Sequence, residues 1–355
     1  MKVKEFGSEY DWQANAAFMS GADTGLVGAD WQLYRSGRDA LKAFARVAGK
    51  KKVLLPALCC ESMALPFSQN GYQVDYYRLQ DDLMADEQDV WAKLERDSVL
   101  LYMRYFGMPS FNEDFLSRCR SRVEGLLLIE DRTHDVFSPR AESGFEPDAV
   151  MASLRKWTAL PDGGMLITKL GKARSYNDSR FAHIRRKAME KKSEYLESGS
   201  TALKSEYMHE FAQAAELLDE QAKPIKMGRE EEKHLRHIDF EKLMARRVDN
   251  ACYLAELLRP LEKAGKLRLV NPRPESSTLY LPVFLEGRNA LHRRLIENAV
   301  YAAVIWPLTK EAAAVCPVTR WVNAHMLAIP CDHRCGREDM EFIAKIISDY
   351  FEEEE

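Results

Sequence analysis

The stretch MASLRKWTALPDGGMLITK, residues 151–169, sets Lys156 directly after an apolar run, with Ser153 three residues before it and Gly163-Gly164 seven and eight residues after. A lysine at the end of a buried strand is desolvated, which lowers its pKa and makes its amine a nucleophile toward aldehydes. The paired glycines allow a tight return into the next apolar run, GGMLITK. The plainer use of such a lysine is an ion pair with a buried carboxylate, and the chain offers one. GLLLIEDRTH, residues 125–134, ends an apolar run in Glu130, Asp131 and, three residues on, His134. Strand alternation puts Asp131 on the face of Ile129 and turns Glu130 the other way. A carboxylate so placed wants a cationic partner, and a structural ion pair would satisfy it.

Two more places carry suitable chemistry. Ser36-Gly37-Arg38-Asp39 opens the helical run DALKAFARVAG with an S-x-x-D capping pattern. The N–H groups there can bind an anion, with Gly37 allowing close approach, although most such boxes only cap. Tyr105-Phe106-Gly107 closes another apolar run before the turn MPSFNED, as packing or as the lip of a site. In open α/β sheets ligands settle at the carboxyl ends of the strands, where all four places would lie. Together a phosphate cradle, a carboxylate able to keep a pyridine nitrogen protonated, a hydroxyl and a lysine are the parts that pyridoxal 5'-phosphate (PLP) needs. In that arrangement Asp131 makes the ring an electron sink. Lys156 condenses with the aldehyde and, once displaced by a substrate amine, moves the proton.

The elements that must position these residues are legible as alternation. Apolar runs at 53–56, 72–79, 98–106, 125–131, 148–154 and 163–169 are separated by helix-like stretches at 59–69, 85–96 and 112–122. That is the pattern of an α/β fold with a mainly parallel sheet layered by helices. Residues 172–245 turn dense in Lys, Arg and Glu, broken by Gly199, Pro224 and Gly228, and predict exposed helices joining two lobes; their mixed signs argue against a polyanion-binding face. A helix from 246, the runs KLRLVNP, STLYLPVFLEG and MLAIPCDHR, and a closing helix from 337 predict a smaller C-terminal α+β domain. The division expected is a large cofactor-binding domain with an N-terminal arm over 1–245 and a small domain over 246–355.

Composition bounds the rest. With 355 residues, 46% apolar and 30% charged, and a net charge of -4, the chain has no electrostatic footprint for nucleic acid or membrane, so its partners are expected to be small molecules or another subunit. No run reaches bilayer length, MKVKEFGSEYDWQ lacks the apolar core of a secretory signal, and seven cysteines do not form a disulfide framework, so a cytoplasmic location is expected. Cys331-Asp-His333-Arg-Cys335 lacks paired C-x-x-C spacing, and no metal site is expected.

These motifs resemble the fold type I PLP enzymes, and among them the DegT/DnrJ/StrS sugar aminotransferases. Ser36-Gly37-Arg38-Asp39-Ala40 is similar to that family's Ser-Gly-Thr-x-Ala phosphate loop, and Glu130-Asp131-Arg132-Thr133-His134 to its Glu-Asp-x-x-Gln/His strand end. Lys156 with Gly163-Gly164, the Tyr105-Phe106-Gly107 turn and AIPCDHRCGREDMEFIAKII resemble further family features, and the likeness runs from about residue 31 to 348. The resemblance implies catalytic roles for Lys156 and Asp131. It implies cofactor contacts from Ser36, Gly37, Arg38, Cys60, Asp131, His134, Ser153 and Lys156.

Departures are visible too. Pro56-Ala-Leu-Cys59-Cys60 stands where the family often has Pro-x-x-Thr and an aromatic over the pyridine ring, putting the Cys60 thiol there instead. Arg38 replaces a Thr, Ser153 is three rather than five residues before the lysine, and 180–215 lacks the Asn-rich loop through which a neighbouring subunit reaches the phosphate. The resemblance implies a homodimeric PLP aminotransferase, moving an amino group from a donor such as glutamate to a keto sugar nucleotide in surface-polysaccharide biosynthesis. The alternatives are a PLP enzyme of amino-acid transamination, elimination or aldol cleavage, for which Arg320 or Arg334 would hold a substrate carboxylate, and a non-catalytic PLP-binding regulator.

Overall fold

A computed structural model describes residues 2–138, 145–220, 222–273, 278–306 and 308–353. The apolar runs of the first half become strands of one sheet: β1 (Gln32–Tyr34), β2 (Lys52–Pro56), β3 (Gln73–Tyr77), β4 (Ser98–Tyr105), β5 (Met108–Pro109), β6 (Leu127–Asp131), β7 (Ala149–Ala152) and β8 (Gly164–Thr168). Their order is β1-β8-β7-β6-β4-β2-β3, with β5 folded back on β4. The five strands from β7 to β3 are parallel; β8 runs against them, and the edge strand β1, antiparallel to β8, shares their direction. Strands covered on both faces read as unbroken apolar runs, as in Val99–Met103 and Leu128–Ile129, all buried.

Helices α1 (Gly37–Ala48), α2 (Glu61–Ser68), α3 (Glu87–Lys93) and α4 (Glu113–Arg122) supply the crossovers that parallel strands require. Ser36, Asp86 and Asn112 cap α1, α3 and α4 by accepting N–H groups of their first turns, and α1 ends on Gly49 in the left-handed region. The α1 face of Ala40, Leu41, Ala43 and Phe44 is buried against the sheet. The short edge strand β1 gave no sequence signal, because three residues cannot display a period.

The charge-rich middle does form helices, α5 (Arg180–Ser198), α6 (Thr201–Glu216) and α7 (Arg229–Arg236), but α5 is not simply exposed. It buries Arg185 and Lys192, because the N-terminal arm lays carboxylates against them: Lys192 Nζ is 3.0 Å from Glu5, and Arg185 is 2.9 Å from Glu9. Paired burial is what makes such side chains tolerable inside a fold. The next helix, α8 (Phe240–Lys263), starts six residues earlier than the pattern predicts, since Asp239 accepts the Lys242 N–H at 2.9 Å and caps it there.

The second lobe is a three-strand antiparallel sheet, β11-β10-β9, made of β9 (Arg268–Leu269), β10 (Tyr280–Phe284) and β11 (Met326–Pro330). Around it pack α8, α9 (Arg288–Glu297), α11 (Pro317–His325) and α12 (Arg337–Glu353), while α10 (Lys310–Val315) lies against β3 of the large sheet. Its core, including Leu254, Leu281, Val283, Leu327, Ile343 and Ile347, also takes in Phe6 from the arm. No helix among the described residues is long and apolar enough to cross a membrane.

Candidate active site

Asp131 ends β6 and lies beside Met103 of β4 and Met151 of β7. Ser153 follows β7 directly, and Lys156 closes the 3-10 turn Leu154–Lys156. Thr133 ties these two strand ends together. Its N–H donates to Asp131 Oδ1 at 2.7 Å, and its hydroxyl also bonds the Asp131 carboxyl. Its Oγ1 accepts the Ser153 N–H at 3.1 Å, and its carbonyl accepts the indole N–H of the fully buried Trp157 at 2.8 Å. Glu130, on the other face, pairs with Arg104 at 2.8 Å, whereas no ion pair to Asp131 occurs among the described residues.

The glycines explain how the lysine turn meets the head of α1. Gly163 donates to the Arg35 carbonyl at 2.8 Å and accepts the Leu154 N–H at 3.1 Å, so it bridges both segments. A Cβ on Gly164 would stand 2.1 Å from the Ser36 carbonyl oxygen, and one on Gly37 would stand 3.3 Å from Ser153 Cβ. Residues 35–37, 153–156 and 163–164 can therefore lie backbone against backbone only without side chains at these positions. Ser36 accepts the Asp39 N–H at 3.2 Å and donates its hydroxyl to Asp39 Oδ2 at 2.7 Å, while Arg35 holds the same buried carboxylate at 2.8 and 3.1 Å. The Gly37 and Arg38 N–H groups, in the first turn, have no intrahelical acceptor. The Arg38 guanidinium is turned to Asp219, bonding both its oxygens at 3.0 Å.

His134 is buried in an aromatic setting. Its ring centroid lies 5.0 Å from Phe106, 5.5 Å from Trp306 and 6.4 Å from Tyr280, and its Nδ1 has no hydrogen-bond partner. Phe106 and Gly107, at φ 54° and 86°, form the two-residue turn between the paired residues Tyr105 and Met108. Positive φ at both positions is the I′ hairpin form; a Phe there costs about 1 kcal/mol of backbone strain. Cys60 is half-buried at the head of α2, its Sγ 2.9 Å from Ser62 Oγ.

The electrostatics follow from burial. Desolvation pulls the Lys156 ammonium below its ordinary range, opposed by the charges of Cys60 and Asp131 and reinforced by Arg155 and Arg38. Desolvation pushes Asp131 above the carboxylate range against the Thr133 hydrogen bonds and the Lys156 charge. Burial, with the Lys156 charge behind it, drops His134 to about 3, so its imidazole is neutral. The result is a readily deprotonated amine, a carboxyl group without its cation and a neutral imidazole with one nitrogen free. Of the residues the sequence singles out, Ser36, Gly37, Ser153 and Lys156 are joined through the glycine contacts. Asp131, His134 and Cys60 act on Lys156 by charge or share its surroundings, and the Arg38 side chain is engaged elsewhere.

Several residues here carry no sequence signal. Thr133 and Trp157 read as ordinary loop residues. Tyr10 donates to the Lys156 carbonyl at 3.2 Å and accepts from Arg247 at 2.5 Å, and Asn15 accepts from Thr158 at 2.7 Å and from the Ala159 N–H at 3.0 Å. These contacts join the arm to a turn more than 140 residues away, which no local pattern encodes. On the arm side Lys156 borders a cavity of about 290 Å³, which Arg334 also lines while pairing with Asp332 at 2.7 Å. Arg320 donates to the Ala313 carbonyl at 2.8 Å and is not part of that wall. Among the described residues no three His, Cys, Asp or Glu side chains are placed to hold a metal ion.

No protein-family model and no curated protein sequence matches the chain. Solved structures match over nearly its whole length. The aminotransferase TlmJ from Streptoalloteichus hindustanus is 18% identical, with 98% of each chain covered and a TM-score of 0.66. The putative sugar aminotransferase Spr1654 from Streptococcus pneumoniae, in its PLP form, is 14% identical, with 97% of each chain covered and a TM-score of 0.64. DesI, crystallised in the presence of its TDP-sugar product, is 16% identical over 94% of this chain and 86% of its own, with a TM-score of 0.67. At these identities the likeness is one of architecture, and it decides the architecture: the chain has the fold of the fold type I, DegT/DnrJ/EryC1/StrS aminotransferases.

Proposed function

We propose that this protein is a PLP-dependent aminotransferase that moves an amino group from an amino acid such as glutamate to a keto sugar nucleotide. The observation that carries the reading is the pair of Asp131, buried without a cation, and Lys156, its amine held below the usual range, braced across adjacent strand ends by Thr133. The residues present fit the cofactor: His134 Nδ1 is buried and unpartnered, and the cradle of Ser36, Gly37, Ser153 and Gly164 is one that added Cβ atoms would fill.

Bound PLP supplies an aldehyde that captures amines and a protonated ring that accepts the electron pair of a substrate carbon. Asp131 would keep the ring nitrogen protonated, its carboxylate oriented by Thr133, and that cation would offset the desolvation the carboxylate suffers. The first-turn N–H groups of α1, with the Ser153 hydroxyl and the Ser36 hydroxyl once turned from Asp39, would hold the phosphate at the positive end of the helix dipole. Arg38 would contribute its N–H and long-range charge, its side chain being held by Asp219. His134 Nδ1 offers the ring a hydrogen bond from a neutral imidazole, and the Cys60 thiol would border the ring in place of an aromatic. Lys156, its pKa lowered by burial, would accept and return the substrate proton once its amine is free.

The sugar assignment is supported by the fold neighbours described as sugar aminotransferases and by the TDP-sugar product of DesI. The proposal extends to a homodimer with a large domain over 1–245 and a small one over 246–355, working in surface-polysaccharide synthesis in the cytoplasm, where seven free cysteines would stay reduced. The test is to load the protein with PLP, add glutamate, and count 2-oxoglutarate released per bound cofactor, then supply keto sugar nucleotides or simple keto acids. About one equivalent released on loading, with turnover on a sugar nucleotide, is expected. Turnover confined to simple keto acids would overturn the sugar acceptor, and no release from any amino acid would overturn the aminotransferase.

A further inference from the structure

Tyr102, Glu130, Val150 and Ile167 are register partners in one row across β4, β6, β7 and β8. The adjacent row holds Met103, Asp131, Met151 and Leu166, so strand alternation turns the first row to the opposite face of the sheet from Asp131. On that face Tyr102, Glu130, Val150 and Ile167 border a cavity of about 530 Å³, with α4 on one side and residues 168–170 on the other. Its volume is in the range of roughly 300–1,000 Å³ that suits a small organic ligand. No residue of its wall also lines the cavity beside Lys156.

The cations of this wall are already engaged. Arg104 bonds Glu130 at 2.8 Å, Lys169 lies 3.0 Å from Glu146, Arg120 lies 3.3 Å from Asp148, and Arg132 lies 3.6 Å from Asp135. Two carboxylates of the wall, Asp30 and Glu113, have no ion pair among the described residues, which leaves negative charge to spare. The Tyr102 hydroxyl is the other unmatched group. Tyr102 is 6% exposed and lines the cavity, yet its hydroxyl makes no hydrogen bond among the described residues. A polar group buried without a partner is costly, and a phenolic oxygen can accept an N–H. Glu113 is near enough to act on that phenol by charge. Beside it the wall is apolar: Phe111 meets the Tyr102 ring edge-on at 5.8 Å, and Leu116 is buried next to them.

We propose that this cavity binds a small aromatic amine in its protonated form, the ammonium donating to the Tyr102 hydroxyl with Glu113 and Asp30 as counter-charges and the ring lying against Phe111 and Leu116. The spare carboxylates select a cation, the unpartnered hydroxyl supplies its acceptor, and the aromatic walls favour a flat apolar body and add cation–π attraction. The site is separate from the one that carries Lys156, and its occupancy does not depend on the aminotransferase reading.

The experiment is calorimetric titration of the cofactor-free protein with 2-phenylethylamine, 2-phenylethanol and butylamine. The aromatic amine should bind at one site. The alcohol lacks its charge and butylamine lacks its ring, so each should bind at least about tenfold more weakly. Tyr102→Phe and Glu113→Gln should each weaken the aromatic amine about tenfold, roughly the loss of one charge-assisted hydrogen bond or counter-charge. Lys156→Ala should leave its affinity within about twofold, as expected of a remote site. If the variants unfold, hydrogen exchange of the wild type takes their place: 2-phenylethylamine should slow exchange in peptides spanning 98–120 and leave those spanning 153–164 unchanged. Equal binding of amine and alcohol, undiminished affinity in Tyr102→Phe and Glu113→Gln, loss of binding in Lys156→Ala, or protection of 153–164 in place of 98–120 would each overturn the proposal.

Discussion

Replacing His134 by Gln tests the electrostatics of the site without any cofactor. The imidazole titrates near 6.5 in an unfolded chain and at about 3 in its buried place. Because the folded value is the lower one, protons bind preferentially to the unfolded chain. Stability is then complete above about pH 6.5 and is lost as pH falls toward 3. At pH 5 the unfolded imidazole is about 1.5 units below its pKa while the folded one stays neutral, which costs about 2 kcal/mol at roughly 1.4 kcal/mol per unit. Gln has no such titration. Losing the ring contacts with Phe106 and Trp306 should cost the variant about 1 kcal/mol at every pH, so the difference between the two pH values isolates the protonation. His333, also lowered to about 3, is common to both proteins and cancels. The assay is urea unfolding of cofactor-free wild type and His134→Gln at pH 7.5 and pH 5. Wild type should lose about 2 kcal/mol more than the variant between those conditions. Parallel losses would refute the buried, neutral imidazole and the free Nδ1 it offers.

Gly164→Ala puts a Cβ 2.1 Å from the Ser36 carbonyl, so the head of α1 must move by about 1 Å; unfolding should show a loss of about 3 kcal/mol, and PLP titration a weakened site. Asp131→Asn removes a carboxyl whose pKa is raised by burial. Cofactor-free protein should unfold at higher urea than wild type near neutral pH, with the gap closing as pH falls, while PLP affinity drops sharply. Lys192→Met strips the buried Glu5 of one of its two lysines, Lys204 at 2.8 Å remaining, and should lower stability by about 3 kcal/mol and open the arm to protease.

Legibility in the sequence followed the range of the interaction. Parallel strands buried on both faces announce themselves as apolar runs, and β2, β3, β4, β6, β7 and β8 fall within a few residues of their predicted bounds. The cap at Ser36 is legible because it opens an apolar-periodic run, whereas Asp239 lies in a charge-dense stretch that hides it, and α8 begins earlier than its pattern predicts. Helices α9, α10 and α11 leave no clear period because they are short or carry few apolar residues: α9 buries only Leu291 and Leu295 among its apolar side chains. In the site, Lys156, Asp131 and the glycines stand out because a polar residue at a strand end, or a glycine pair, is unusual locally. Thr133, Tyr10, Asn15 and Arg247 do not, since their significance lies in partners brought by the fold. Arg185 and Lys192 misled for the same reason, their burial depending on Glu9 and Glu5 of the distant arm.

The central claim is that Lys156 and Asp131 grip a single PLP from its two reactive ends. Borohydride reduction of the PLP-loaded protein, followed by peptide mapping, tests it most directly. The account predicts one phosphopyridoxyl group per chain, on Lys156, with Asp131→Asn sharply reducing its yield at limiting PLP. Label spread over surface lysines, or equal labelling when Lys156 is replaced by Ala, would contradict it.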